Sequence, residues 1–355
     1  MSFPAHPIAA VTHPDPRVYH EALLKGPPVH FDSTLQVWVV THPEAIVEAL
    51  NHPDLRVRPP HEPVPTPLLG TPLEPFFRSL LRMNDGEMHQ TLRPLVLELL
   101  ESISEMEVQE ATRSRLSGLS LQNPNWAFHL GLEGLRSLLR VPEDLLTTLS
   151  AACLSLVFSL SPLAGSDDVK EGIHALHTLE DILQRSPLAQ QNTTNPRVWR
   201  SNLIGLLVQT CDATAGLLGL SLLALKKHPE LQTDLRSGKM TLQDVVLQAA
   251  RHGCPVQNTR RFAARDITLY GHTLPAGSAL LLLLGTASVH PSAPLLTFGA
   301  GPHHCPGENL AITLVTAALQ ALLEQGMQPE HFSCVGYRPS INTRVPLLQY
   351  SKEPK

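Results

Sequence analysis

Leu203 to Leu225 is the stretch that most restricts the fold: 23 consecutive residues with a single formal charge, Asp212. A helix of that length either spans a bilayer or threads the middle of a large globular domain. An ionised Asp at the centre of a span costs about 2.5–3.5 kcal/mol or more, and Gln209, Thr210, Thr214 and Ser221 add polarity, so the buried helix is the expectation. It ends at Lys226-Lys227-His228-Pro229, where cations meet the negative end of the helix dipole and a proline stops the winding. The chain has 355 residues, 43% hydrophobic and 17% charged, enough apolar sequence to enclose such a helix, and residues 1–355 are expected to form one large domain.

Around that helix the sequence reads as mainly α with a small β portion. Val37 to Val40 is a short β-branched and aromatic run, and Thr41-His-Pro-Glu then opens a helix with Thr41 as N-cap. Pro59 to Pro75 reads as an irregular loop, and Phe76 to Leu100 as helix broken near Asn84-Asp85-Gly86. Helices continue to about Ala189, followed by a polar surface connection, Ser186 to Pro196. Another helix follows Thr241, with Val245, Val246 and Ala249 on one face. Val256 to Leu284 is β-like, with turns at Tyr270-Gly271 and Pro275-Ala276-Gly277. Loop Phe298 to Gly307 leads to a helix from Glu308 to Gln325, with Leu310, Leu314, Ala318, Leu319 and Leu322 inward and Gly326 as its stop. Short strands with Pro339 and Pro346 finish the chain.

Several function classes drop out. A formal charge of −5, with the basic residues spread along the chain, gives no footprint for nucleic acid. The N-terminus lacks the cationic and apolar regions of a signal peptide. Cys153, Cys211, Cys254, Cys305 and Cys334 are odd in number and far apart, so neither a disulfide framework nor a zinc site is indicated, and a reducing cytoplasm fits best.

Phe298-Gly-Ala-Gly-Pro-His-His-Cys305-Pro-Gly is the most informative segment. Its glycines let the backbone turn tightly and approach a flat ligand. The positive end of the next helix points at the sulfur, and loop N–H groups can donate to it, so Cys305 is expected to ionise more readily than a free thiol and to suit an iron. A buried structural cysteine would not need this glycine frame. A Cys–His nucleophile would take its base from elsewhere in the fold rather than from His303 or His304, and zinc would need further ligands.

This segment resembles the signature of the cytochrome P450 family, the haem-thiolate monooxygenases, and the chain is most similar to their soluble bacterial members over nearly its whole length. The resemblance implies the family's triangular helical fold with a long central helix over the haem, haem b as cofactor, and Cys305 as the proximal ligand whose electron donation to iron favours O–O cleavage. Two propionates brought into an apolar site need cations or donors. His89 and Arg93 match the family's H-x-x-x-R, one turn apart on one helix face. Arg261 falls where the family places a propionate-binding Arg, and His303 where it places another partner.

Two positions depart from the family. Asp212 matches the acid of its oxygen-activation motif, but Ala213 stands where the family has a threonine. That puts the ordinary proton relay in doubt; Thr214 or Thr210, an ordered water, or a hydroxyl on the substrate would have to complete it. Gln248-Ala-Ala-Arg251 stands where the family has E-x-x-R, and the segment between Leu284 and Phe298 holds no second Arg, so one anion and one cation are missing together. Gln248 can still accept from Arg251, and a folded, haem-binding chain with a looser proximal side is expected. The part between Ser161 and Trp199 is short for the family's substrate lid, which points to an open pocket, with Pro59 to Phe77 and Val256 to Thr259 as candidate lining.

Insertion of one oxygen atom into a small, largely apolar organic substrate is the expected activity, in specialised metabolism, with electrons from a ferredoxin and its reductase and with no membrane or nucleic-acid partner. A nonredox or peroxide-driven haem enzyme and a non-catalytic haem-binding protein are the alternatives that Ala213 and Gln248 keep open.

Overall fold

Residues 3–123, 126–161, 164–190 and 195–352 are described by a computed structural model of the chain. Five short apolar strands form the main sheet. β1 (Val29–Asp32) and β2 (Val37–Val40) pair antiparallel, with Val29 opposite Val40; β3 is Leu55–Arg56 and β4 is Thr259–Ala263. A hairpin of β5 (Ile267–Leu269) and β6 (His272–Leu274) follows, then β7 (Ala279–Leu282). The sheet order is β1-β2-β7-β4-β3, parallel at β2–β7 and antiparallel elsewhere. β8 (Phe332–Tyr337) and β9 (Pro346–Tyr350) pair at the C-terminus. Tyr270 and Gly271, both at positive φ, make the tight turn read from the sequence.

Thirteen α-helices lie among the described residues. Before the second half of the sheet come α1 (Pro7–Ala10), α2 (Arg17–Leu24), α3 (Pro43–Asn51), α4 (Leu73–Ser79), α5 (Gly86–Glu101), α6 (Glu105–Gly118) and α7 (Trp126–Leu138). Then follow α8 (Leu146–Ser159), α9 (Ser166–Gln184), α10 (Pro196–Lys227), α11 (Pro229–Arg236) and α12 (Leu242–Gly253), with α13 (Glu308–Glu324) closing the series. Residues 191–194 of the expected surface connection lie outside the described residues. Thr41 does not cap α3; His42 does, because the Thr41 hydroxyl bonds back to the carbonyls of Pro27 and Pro28.

α10 is the axis of the helical body, 32 residues long and packed against α7, α12 and α13. It starts seven residues before the apolar run because Asn195 caps it, accepting from Val198 N–H, and Pro196 occupies its first position. Among the described residues it is the one helix long and apolar enough to cross a membrane, and 72% of its most apolar window is buried inside the fold. α12 starts with a capping box between Thr241 and Asp244 and buries Val245, Val246 and Ala249. α13 buries Leu310, Leu314, Ala318, Leu319 and Leu322, and Gly326 follows it at φ +77°. α13 follows directly on the loop that carries Cys305, and α12 packs against α13 and the turn at Leu284–Val289.

Candidate haem-binding site

The Cys305 loop is shaped by its glycines. Gly299 and Gly301 sit at φ +72° and +68°, where a Cβ is strained, and a Cβ on Gly301 would come 2.6 Å from Asn51 Oδ1 and 3.0 Å from the Leu50 carbonyl. This close approach fixes the loop on the end of α3, while the Cys305 N–H bonds to the Phe298 carbonyl at 2.9 Å and closes the turn. Gly307 is ordinary in φ; its N–H donates to the sulfur. The expected easier ionisation of Cys305 is corrected: burial raises its pKa, and the Gly307 N–H and the Arg93 charge only partly offset that, with Glu308 opposing them. A thiol kept neutral by burial ionises when a metal takes its proton's place.

The four expected propionate partners converge. The His89 and His303 rings lie 4.3 Å apart, and burial lowers the pKa of His89, with the charges of His303 and Arg93 acting the same way and Asp85 opposing. Arg261, 5% exposed on β4, donates to the Arg260 carbonyl and is likewise held down by burial and supported by Asp85. Asp85, which the sequence motifs do not mark as a site residue, joins them. Its Oδ1 is 2.9 Å from His303 Nε2 and its Oδ2 accepts from Val57 N–H; burial raises its pKa, but those bonds and the charges of His303 and Arg56 outweigh burial and leave it low. A carboxylate at the start of α5, one residue before a glycine at φ +65°, was a readable signal.

This donor set fits a haem. One sulfur, two guanidinium groups and two imidazoles, with the Asp85 carboxylate among them, offer a dianion charge and hydrogen-bond donors beside a soft ligand.

α10 presents a break in its burial. The helix is almost wholly buried from Ser201 to Leu222, except for Leu206, Gln209, Thr210, Asp212 and Ala213, which are partly exposed. At 3.6 residues per turn Gln209, Ala213 and Leu206 form the middle of this open face, with Asp212 and Thr210 on its two edges. Thr214 lies further round: it is buried, 3.3 Å from where a Cβ on Gly131 of α7 would sit. The expectation that Thr214 supplies a hydroxyl changes accordingly, because the helix winds without interruption and turns that side chain to α7. Thr210 Oγ1 bonds the Leu206 carbonyl at 2.9 Å, and Gln209 Nε2 bonds the Gly205 carbonyl at 2.7 Å.

Asp212 is held by a residue the sequence did not suggest. Arg338, after β8, donates from Nη1 to Asp212 Oδ1 at 2.8 Å, and its guanidinium carbon lies 5.1 Å from the ring centres of both Phe128 and Phe158. Burial still raises the Asp212 pKa, against the lowering effect of Arg338. The segment 341–343 docks on the β4 approach through Asn258 Nδ2 to the Ile341 carbonyl and Gln257 N–H to the Asn342 carbonyl, both 2.8 Å.

Behind the loop, the expected Gln248–Arg251 bond is not formed among the described residues; Arg251 Nη1 donates instead to the Ala293 carbonyl at 2.8 Å. The guanidinium that lost its acid partner has found a backbone acceptor in the same irregular segment.

No protein-family model matches the chain. It is 27% identical over 303 aligned positions to the putative cytochrome P450 133B2 of Xylella fastidiosa, covering 72% of this chain and 75% of that protein. It is also 27% identical to the vitamin D(3) 25-hydroxylase of Pseudonocardia autotrophica, covering 86% and 82%. Among solved structures, P450BioI in complex with an acyl carrier protein ligated to hexadec-9Z-enoic acid superposes with a TM-score of 0.79 at 22% identity, over 95% of this chain and 99% of that one. HmtT, involved in himastatin biosynthesis, gives 0.77 at 22% identity over 95% and 96%. The fold is theirs.

Proposed function

This chain belongs to the cytochrome P450 family and is a P450-type monooxygenase, and on that premise we propose that it oxidises a small, largely apolar organic compound at a haem b held by Cys305. The observation that carries the site is the convergence of His89, Arg93, Arg261 and His303 beside the glycine-framed Cys305. In this reading the four groups neutralise the propionates, and Gly307 N–H and Arg93 stabilise the thiolate once formed. A haem bound there supplies dioxygen activation at its iron, favoured by the thiolate. Electrons come from a ferredoxin-type protein and its reductase, and the protein works in the cytoplasm as one haem domain.

The proton path is this chain's own. Ala213 puts a methyl group at the centre of the open face of α10, so no hydroxyl faces the reacting centre from there. Asp212 stands at the edge with Oδ1 fixed by Arg338 and a pKa raised by burial, the properties of a carboxyl that holds a proton and passes it inward through water or a substrate hydroxyl. Arg338 is a positioning residue in this scheme.

Product formation is expected to require both dioxygen and an electron donor; turnover without a donor would select the nonredox or peroxide-driven alternative. Asp212→Asn keeps an oxygen for Arg338 to bond, so the fold should persist. It is expected to lower kcat about 100-fold with little change in substrate affinity. Equal turnover in the variant would remove Asp212 from the path.

A further inference from the structure

The residues that fit a haem come from separate pieces of chain. Cys305 and His303 lie on the loop before α13, His89 and Arg93 on α5, and Arg261 on β4. One side chain bridges these pieces. Asp85 stands at the head of α5; its Oδ1 accepts from His303 Nε2 at 2.9 Å, and its Oδ2 accepts from the Val57 N–H at 3.1 Å. Val57 directly follows β3, whose Arg56 pairs with Phe262, the neighbour of Arg261 on β4.

Asp85 occupies the N-cap position of α5 but makes no cap, since no N–H of the first turn donates to its carboxylate. An Asp at that position ordinarily stabilises its helix through such a bond. Asp85 forgoes it and gives both oxygens to distant parts of the chain, 28 and 218 positions away. Its pair with His303 is mostly shielded from water, the two side chains being 21% and 14% exposed, so the contact is stronger than a surface ion pair. Asp85 is not itself a partner for a propionate, because it carries the same sign of charge and both its oxygens are taken.

We propose that Asp85 is a positioning residue: by fastening His303 and Val57 to the head of α5, it holds the Cys305 loop in register with the helix that carries His89 and Arg93. It acts chiefly through His303, whose ring packs 4.3 Å from that of His89, so loop and helix meet where the bond holds them. The role rests on Cys305 being the haem ligand, and it adds what keeps the sulfur side and the propionate side of that site together.

Haem transfer from the loaded protein to apomyoglobin tests this, measured for Asp85→Ala, His303→Ala and the double variant. Each single substitution is expected to speed transfer roughly 10- to 100-fold, the scale of one lost charge-assisted hydrogen bond. The double variant is expected to stay within about threefold of the faster single one, because both remove the same contact. Asp85→Asn keeps the size and an acceptor oxygen for His303, and its transfer should stay within about threefold of the unsubstituted rate. In the reduced, carbon monoxide-bound form, part of the Asp85→Ala sample is expected to lose the red-shifted Soret band as sulfur and haem fall out of register, while Asp85→Asn keeps it. Single effects that multiply in the double variant, or haem loss from Asp85→Asn as fast as from Asp85→Ala, would overturn the proposal. So would a fall in the helical circular dichroism of haem-loaded Asp85→Ala, which would assign the residue to the fold. Multiplying effects beside a red-shifted band in the unsubstituted protein reject the positioning role alone; no such band there rejects the haem ligand with it.

Discussion

Arg338→Leu is expected to destabilise the folded chain by about 3 kcal/mol at neutral pH, the low end for breaking a buried ion pair because Asp212 keeps 23% of its side-chain surface accessible. Leu leaves the carboxylate on α10 without a counter-charge and removes the cation that Phe128 and Phe158 flank. The deficit should depend on pH. The Asp212 pKa is already raised in the fold by burial, and Arg338 is what restrains it. Without Arg338 the folded pKa rises further, the folded state binds a proton that the unfolded chain, titrating near ~3.9, has released, and stability falls as pH rises from that range to the new pKa. Chemical denaturation at acid and neutral pH checks both points: a small deficit in acid that grows with pH supports the ion pair. An even deficit would mean that Arg338 matters for packing alone. Arg338 Nη2 is buried without a partner, so part of the side chain's cost is already present in the unsubstituted protein and the net loss stays moderate.

Gly301→Val is expected to abolish haem retention. The position needs φ +68°, which a β-branched residue rarely adopts, and its Cβ would meet Asn51 Oδ1 at 2.6 Å and the Leu50 carbonyl at 3.0 Å. The Asn51 side chain is exposed and can swing away, but the Leu50 carbonyl belongs to the end of α3 and cannot. The loop must leave α3, and Cys305 moves with it; the combined strain and clash amount to several kcal/mol on the scale of about 1–2 kcal/mol for a left-handed residue alone. Gly307→Ala serves as the comparison. Its φ is negative, and a Cβ there would sit 4.0 Å from Cys305 Sγ, ordinary contact. Haem content per protein after purification should fall to near zero in Gly301→Val and stay close to the unsubstituted level in Gly307→Ala.

What the sequence disclosed was local. The strand at Val37–Val40, the turn at Tyr270-Gly271 and the inward face of α13 follow from patterns a few residues long, and each stands where those patterns put it. The start of α10 was less legible because its first two turns are polar, although Asn195-Pro196 is a cap signal in its own right. The glycine frame around Cys305 was legible because φ restrictions act within one residue.

Pairings across long separations were not legible. β2 joins β7 in parallel, and Arg338 reaches Asp212 across 126 positions, without any local pattern that marks the partners. Arg251 could be expected to lack its acid from the Gln248 substitution, but the Ala293 carbonyl that replaced it is a property of an irregular backbone. The ionisation of Cys305 follows the same rule: the helix N-terminus is visible in sequence, whereas the depth of burial that outweighs it depends on everything packed around the loop. The open face of α10 needed the fold as well, since Gln209 and Ala213 differ from their buried neighbours only in what does not cover them.

The central claim is that Cys305 binds a haem iron through its thiolate. The absorption spectrum of the reduced, carbon monoxide-bound protein tests it, recorded beside Cys305→Ser. The strongly red-shifted Soret band given by a thiolate ligand is expected in the unsubstituted protein and absent from the variant. The same band in both, or its absence from both in samples that retain haem, would contradict the assignment.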